Sequence, residues 1–231
     1  MVRRIAIWSG PRSLSTAFLR SWENRPDTEV WDEPLYAHYL EATGLEHPGR
    51  DAVLAAGERD GQVVARRCAT GGSAPLFVQK HMAHHLLPAV DGPWLDALTH
   101  VILVRDPRRI VASYVKSRAE ITLDDIGLPR LVALRQRYPE APVVDSEALR
   151  RAPEETLRWL CGVLDVPFLP QMLSWPAGPR ESDGVWAPHW YASVWQSTGF
   201  APPSDTAPPV LEGHYAEVAE AARPLYESLV T

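Results

Sequence analysis

Lysine is almost missing from this 231-residue chain: among its 23 basic residues only Lys80 and Lys116 are lysines, and arginine, the side chain suited to bidentate contact with phosphate or sulfate, supplies the rest. Cysteine is nearly absent as well. Cys68 and Cys161 are too few and too far apart for a disulfide framework or a zinc site, which suits a reducing compartment. Long apolar runs are missing: Arg3 and Arg4 precede only Ile5 to Trp8 before Gly10 and Pro11 intervene, so neither a signal peptide nor a membrane helix is legible, and a soluble, cytoplasmic protein without a membrane partner is expected. The net charge of -6 lacks the broad basic excess of a nucleic-acid binder, so no nucleic-acid partner is expected. No internal repeat, low-complexity tract or interdomain linker is evident. With 45% apolar residues, a single domain over 1–231 is the expectation.

What the chain does contain is an alternation of short apolar runs and helical spacing. Ile5 to Trp8 is too short for a helix and ends at Ser9-Gly10-Pro11; Leu14, Ala17, Phe18 and Trp22 then carry helical spacing as far as Glu23. Further short runs occur at Val30-Trp31, Leu76 to Val78, Val101 to Val104 and Val143-Val144, with helix-like stretches such as Pro107 to Lys116 and Ala152 to Leu164. Strands alternating with helices predict an α/β fold with a doubly wound, mainly parallel sheet, whose ligands sit at the carboxyl ends of the strands. Residues 167–209 depart from this pattern, being rich in proline and tryptophan, and read as an ordered aromatic lid or loop before a helix over 212–229.

Two strand-to-helix turns carry the chemistry. In the first, Pro11, Arg12, Ser13, Leu14, Ser15, Thr16 and Ala17 combine a guanidinium, three hydroxyls and the free N–H groups of a helix start, a set suited to a tetrahedral anion. An ATP-type loop would read G-x-x-x-x-G-K-[ST]; here neither the second glycine nor the lysine is present, and no strand-end aspartate serves as an obvious magnesium partner, so no metal is required. In the second turn Arg105 ends a strand, Asp106 caps and Pro107 starts the next helix, and Ser113 lies on the same side as a second donor, forming a separate anion site.

Together these turns resemble the sulfotransferases that use 3'-phosphoadenosine-5'-phosphosulfate (PAPS): Gly10 to Ala17 is similar to their 5'-phosphosulfate loop, and Val104 to Pro107 with Ser113 to their 3'-phosphate motif. The resemblance covers residues 1–170 and includes Asp32-Glu33-Pro34, found near the start of a bacterial branch; it departs at Leu14, where better-studied cytosolic members carry glycine. It implies a P-loop-like sulfotransferase fold, PAPS as donor and a hydroxyl, or less readily an amine, of a small-molecule acceptor. It also implies that Arg12 and Lys80 contact the transferring group and that Arg105 and Ser113 hold the 3'-phosphate.

A base is needed for the acceptor proton. His81, His84 and His85 share one face if residues 80–86 are helical, and a neighbouring family branch uses a glutamate after the second strand, which here is Glu33; His81, His84 and Glu33 stand as alternatives. His81 and His85 have the i, i+4 spacing of a zinc helix but lack the accompanying glutamate. Trp31, Tyr36, Tyr39, Trp186, Trp190 and Tyr191 are candidates to line an acceptor pocket or stack on adenine. Two other functions fit parts of this pattern: an ATP-dependent small-molecule kinase, and a nucleotide-binding protein without catalysis.

Overall fold

The computed structural model describes residues 2–115, 120–203 and 207–231. Strand β1 (Arg3–Ser9) leads to α1 (Ser15–Glu23) and β2 (Thr28–Asp32); α2 (Tyr36–Thr43), α3 (Arg50–Ala56) and α4 (Gly61–Thr70) precede β3 (Leu76–Met82). Strand β4 (Thr99–Val104), α5 (Pro107–Tyr114), α6 (Leu128–Arg137), β5 (Val143–Asp145), α7 (Ser146–Arg151) and α8 (Pro153–Val163) follow. The last third holds α9 (Ala187–Trp190), α10 (Ala192–Trp195) and α11 (Gly213–Val230). Residues 36–70, to which sequence periodicity assigned no element, thus form three helices. The helix after β4 ends at Tyr114 rather than Lys116, which lies outside the described residues.

All five strands are parallel, in the order β2-β3-β1-β4-β5. Both sheet faces are covered, which is why the central strands read as continuous apolar runs without alternation. On one face Ile5, Ile7, Val101 and Leu103 pack against Phe18 and Trp22 of α1 and Leu157, Leu160 and Cys161 of α8. On the other, Ala6, Trp8, Ile102 and Val104 meet α4, α5, α6 and α11 through Val64, Ile110, Leu131 and Ala222. A third cluster packs Tyr36, Tyr39 and Leu40 of α2 against Trp186, Ala187 and Tyr191, anchoring the proline- and tryptophan-rich segment beside the carboxyl ends of β2 and β3. That segment is pinned at its base by the antiparallel Ser174–Gly199 bridge and by Trp175 N–H donating to the Thr198 carbonyl. Among the described residues no helix is long and apolar enough to cross a membrane.

Candidate functional site

Register decides which strand-end side chains meet. Lys80 pairs with Ile7 on β1 and Asp32 on β2, whereas His81, the next residue, pairs with Trp8. Successive strand side chains point to opposite faces, so Lys80 and His81 must separate. The His81 ring stacks on Trp8, with ring centroids 4.3 Å apart, beside the Trp8–His100 pair in the interior. Burial drives its pKa down to about 3, leaving it a neutral core residue outside the cavity described below. The helical reading of residues 80–86 is therefore corrected: Lys80 to Met82 complete β3 and only residues 83–85 form a tight 3-10 turn. The i, i+4 basis for a His81–His85 zinc pair disappears with it.

The turn after β1 runs against the protein backbone of a neighbour. A Cβ on Gly10 would stand 2.1 Å from the Ile126 carbonyl oxygen, so only glycine fits there. Beyond it Arg12 (φ 58°) and Leu14 (φ 69°) adopt left-handed conformations despite their side chains. Leu14 thus takes the backbone geometry that glycine adopts without strain. No side chain caps α1, so its first N–H groups open toward the cavity.

Because β1 and β4 are adjacent strands, the turn after β4 abuts this loop. Asp106 accepts from the N–H groups of Arg108 and Arg109, starting α5 at Pro107 and aiming Ser113 back at the loop. Arg12 Nε donates to Ser113 Oγ at 2.9 Å, and Arg105 donates to the Arg12 carbonyl at 2.7 Å and to Glu147 Oε1 at 3.3 Å. The two turns expected as separate anion sites form one continuous basic wall. Arg12 has no carboxylate partner among the described residues, and burial lowers the pKa of both guanidiniums.

Opposite that wall lies a buried ionic cluster. Lys80 Nζ, fully enclosed, donates to Asp32 Oδ1 at 2.9 Å, Glu33 Oε1 at 2.6 Å and Tyr191 Oη at 2.9 Å. Tyr191 in turn donates to Asp32 Oδ2 at 2.5 Å and accepts from Trp186 Nε1 at 3.1 Å. Glu33 leaves β2 with φ 42°, its N–H held by the Lys80 carbonyl at 2.8 Å. Burial, opposed by Lys80 and reinforced by Asp32, raises the Glu33 pKa; burial alone would lower that of Lys80, but Asp32 and Glu33 hold it well above its ordinary value.

Between the two walls is a cavity of about 380 Å³, within the range of small-molecule sites. Pro11, Arg12, Ser13, Leu14, Ser15, Thr16, Ala17, Glu33, Lys80, His84, Arg105 and Ser113, singled out from the sequence, all line it; His81 does not. Tyr36, Trp190 and Tyr191 also line it, while Trp31 lies away from it, stacked on Phe77 and covered by Arg67. The sequence reading missed Asp32 as a partner of Lys80 and missed Arg150, whose guanidinium holds the carbonyls of Ala201 and Pro202 at the rim. The parallel register of Asp32 with Lys80 was the available signal for the first. No group of three or more His, Cys, Asp or Glu residues able to hold a metal occurs among the described residues.

A family model described as "Sulfotransferase domain" matches residues 3–231. Among curated proteins, "Branched-chain-amino-acid aminotransferase-like protein 1" of Arabidopsis thaliana is 42% identical over 227 residues, with 96% of this chain and 40% of that protein covered. Its counterpart "protein 2" from the same plant is 38% identical over 230 residues, covering 97% and 41%. The chain thus spans about two fifths of the curated relatives it matches. Among solved structures, "Sulfotransferase Domain from the Curacin Biosynthetic Pathway" superposes with a TM-score of 0.57 at 18% identity, covering 96% of this chain and 98% of that one. "Crystal Structure of Sulfotransferase from Alicyclobacillus acidocaldarius" gives 0.53 at 13% identity, covering 100% and 96%. These likenesses establish the shared fold.

Proposed function

Since the chain belongs to the sulfotransferase domain family, we propose that its cavity transfers a sulfuryl group from PAPS to the hydroxyl, or less readily the amine, of a small acceptor, with Glu33 as the base. The observation that carries this reading is Arg12: a partly buried guanidinium without a carboxylate partner among the described residues, beside the open amide groups of α1. A buried charge is costly unless compensated, and a bound anion compensates it. PAPS fits this basic wall, with Arg12, the Ser13 to Ala17 loop, Arg105 and Ser113 as the residues to hold its phosphates; when bound it supplies the activated sulfuryl group.

The opposite wall suits the acceptor. If Lys80, Asp32 and Glu33 are all ionised, the cluster carries one excess negative charge, so it attracts a proton rather than a second anion. Glu33 Oε2 receives the acceptor proton, and burial moves this carboxyl toward the operating pH where a base works best. Lys80 orients Glu33, since all three of its donors are engaged. Arg12 faces the negative charge that develops on the leaving phosphate.

Thermal shift with 3'-phosphoadenosine 5'-phosphate, followed by a screen of acceptors with labelled PAPS, tests the reading. The bisphosphate should raise Tm more than ATP with magnesium. Glu33→Gln should lower single-turnover transfer roughly 10²- to 10⁴-fold with nucleotide affinity retained, whereas His84→Ala should lose less than about tenfold. A larger shift with ATP and magnesium favours a kinase. Binding without transfer to any acceptor favours a non-catalytic nucleotide-binding protein.

A further inference from the structure

Tyr191 comes from a part of the chain that carries no recognisable nucleotide motif, yet its hydroxyl sits at the centre of the ionic cluster. We infer that Tyr191 is a positioning residue whose hydroxyl closes a hydrogen-bonded ring with Lys80 and Asp32, leaving Glu33 Oε2 as the carboxylate oxygen of the cluster open to an acceptor. The inference rests on the sulfuryl-transfer reading for its consequence in catalysis, but the ring itself stands on geometry.

A count of donors and acceptors carries the argument. The ammonium has three protons and all three are taken, by Asp32, Glu33 and Tyr191. The phenol has one proton and two lone pairs. Its lone pairs receive Lys80 and Trp186, so its proton goes to a carboxylate, and Asp32 Oδ2 at 2.5 Å is favoured over Glu33 Oε1 at 3.3 Å. Both oxygens of Asp32 are thereby committed. Glu33 has only Oε1 engaged; among the described residues Oε2 takes no hydrogen bond, and the nearby ring nitrogen of His85 stands 4.0 Å away. Glu33 lines the cavity, and Asp32 does not. The ring therefore sorts two adjacent carboxylates into a structural one and an available one.

The groups facing Glu33 set the sign of the test. They are Asp32 on β2, Lys80 on β3, His85 in the turn after β3, Tyr36 on α2 and Tyr191 between α9 and α10. His85 is held neutral by burial and the neighbouring histidines, and Tyr36 is protonated, so in the relevant range the Glu33 carboxyl titrates against a constant Lys80 charge. Tyr191→Phe removes, besides the bond to Asp32, the phenol's weaker donor contact to Glu33 Oε1 at 3.3 Å. Loss of a donor to an ionised group disfavours ionisation, so the Glu33 titration must move to higher pH.

The experiment measures the infrared carboxyl band of the whole protein against pH, identified by its loss in Glu33→Gln, together with the pH profile of single-turnover transfer. The expected result for Tyr191→Phe is an upward shift of the band's titration by at least half a pH unit. The acidic limb of the rate profile should shift equally, with affinity for 3'-phosphoadenosine 5'-phosphate within twofold of wild type. Trp186→Phe, which removes a donor to the phenol oxygen and weakens the phenol as a donor to both Asp32 and Glu33, should shift both in the same direction by less, and it serves as the variant if Tyr191→Phe does not fold. An unshifted band in a folded variant overturns the inference, as does a uniform loss of rate with an unmoved limb. A shifted band in a protein that transfers sulfuryl to no acceptor leaves the ring standing and removes the proposed function instead.

Discussion

Arg105 and Glu33 occupy opposite walls of the cavity, and their substitutions read out different physics. Arg105→Ala removes a charged donor from the basic wall, so affinity for 3'-phosphoadenosine 5'-phosphate should fall by about 1.5 to 3 kcal/mol, while AMP, lacking the 3'-phosphate, should lose much less. Calorimetry on both nucleotides measures the difference; equal losses would remove Arg105 from the 3'-phosphate. Glu33→Gln should alter stability as well as turnover. The folded carboxyl is more basic than its ordinary value of 4.5, so its proton stabilises the native state at low pH and that contribution is lost as pH rises through the folded pKa. The Tm of the amide variant relative to wild type should therefore climb from pH 5 to pH 8. Arg12, Lys80, Arg105 and Glu33 were legible in the sequence because each sits at a strand end, where chemistry collects in this architecture. Tyr191 was visible only as one aromatic among several: nothing local distinguishes it, and its role depends on a docking contact with residues more than 150 positions away.

The α1 loop shows how an element is built around its site. Gly10 yields space to Ile126, and Leu14 holds φ at 69° at the start of the helix. Comparing Leu14→Gly with Leu14→Ala isolates the backbone contribution, because both remove the side chain. The glycine variant should be more stable by about 1 kcal/mol in urea unfolding, since only alanine retains the left-handed penalty; equal stabilities would show the loop relaxing out of that conformation. Helices α1, α5 and α8 were legible from periodicity and from Asp106-Pro107. The turn after β3 was misread because β3 is buried on both faces: with no polar alternation, Lys80 to Leu86 offers no signal for where strand ends, and the histidine spacing imitates a helix face. Helices α2 to α4 escaped because they are short, of seven to ten residues, and are separated by Gly44, Gly49 and Gly57, too little for a long amphipathic pattern.

At the scale of the molecule, buried histidines govern the response to acid. Burial holds His81 near 3, His100 near 4 and His85 well below 6.5, so the unfolded chain binds protons below about pH 6.5 that the folded protein refuses. Each such proton contributes up to about 1.4 kcal/mol per pH unit, and three histidines outweigh the single opposing uptake by Glu33. Tm should fall steadily from pH 7 to pH 5 in calorimetric scans; a constant or rising Tm would show these rings protonated in the native state. The parallel sheet and its layers were legible from the alternation of runs, whereas the docking of the tryptophan-rich segment depends on long-range packing around Tyr36 and Trp186. The enclosure of Lys80 has a consequence of another kind. With one other lysine in the whole sequence, at Lys116, an amine-directed acylating reagent has few places to react, and the Lys80 amine is sealed by two carboxylates and a phenol. Its acylation, followed peptide by peptide in a mass spectrometer, becomes a clock for how often this protein opens.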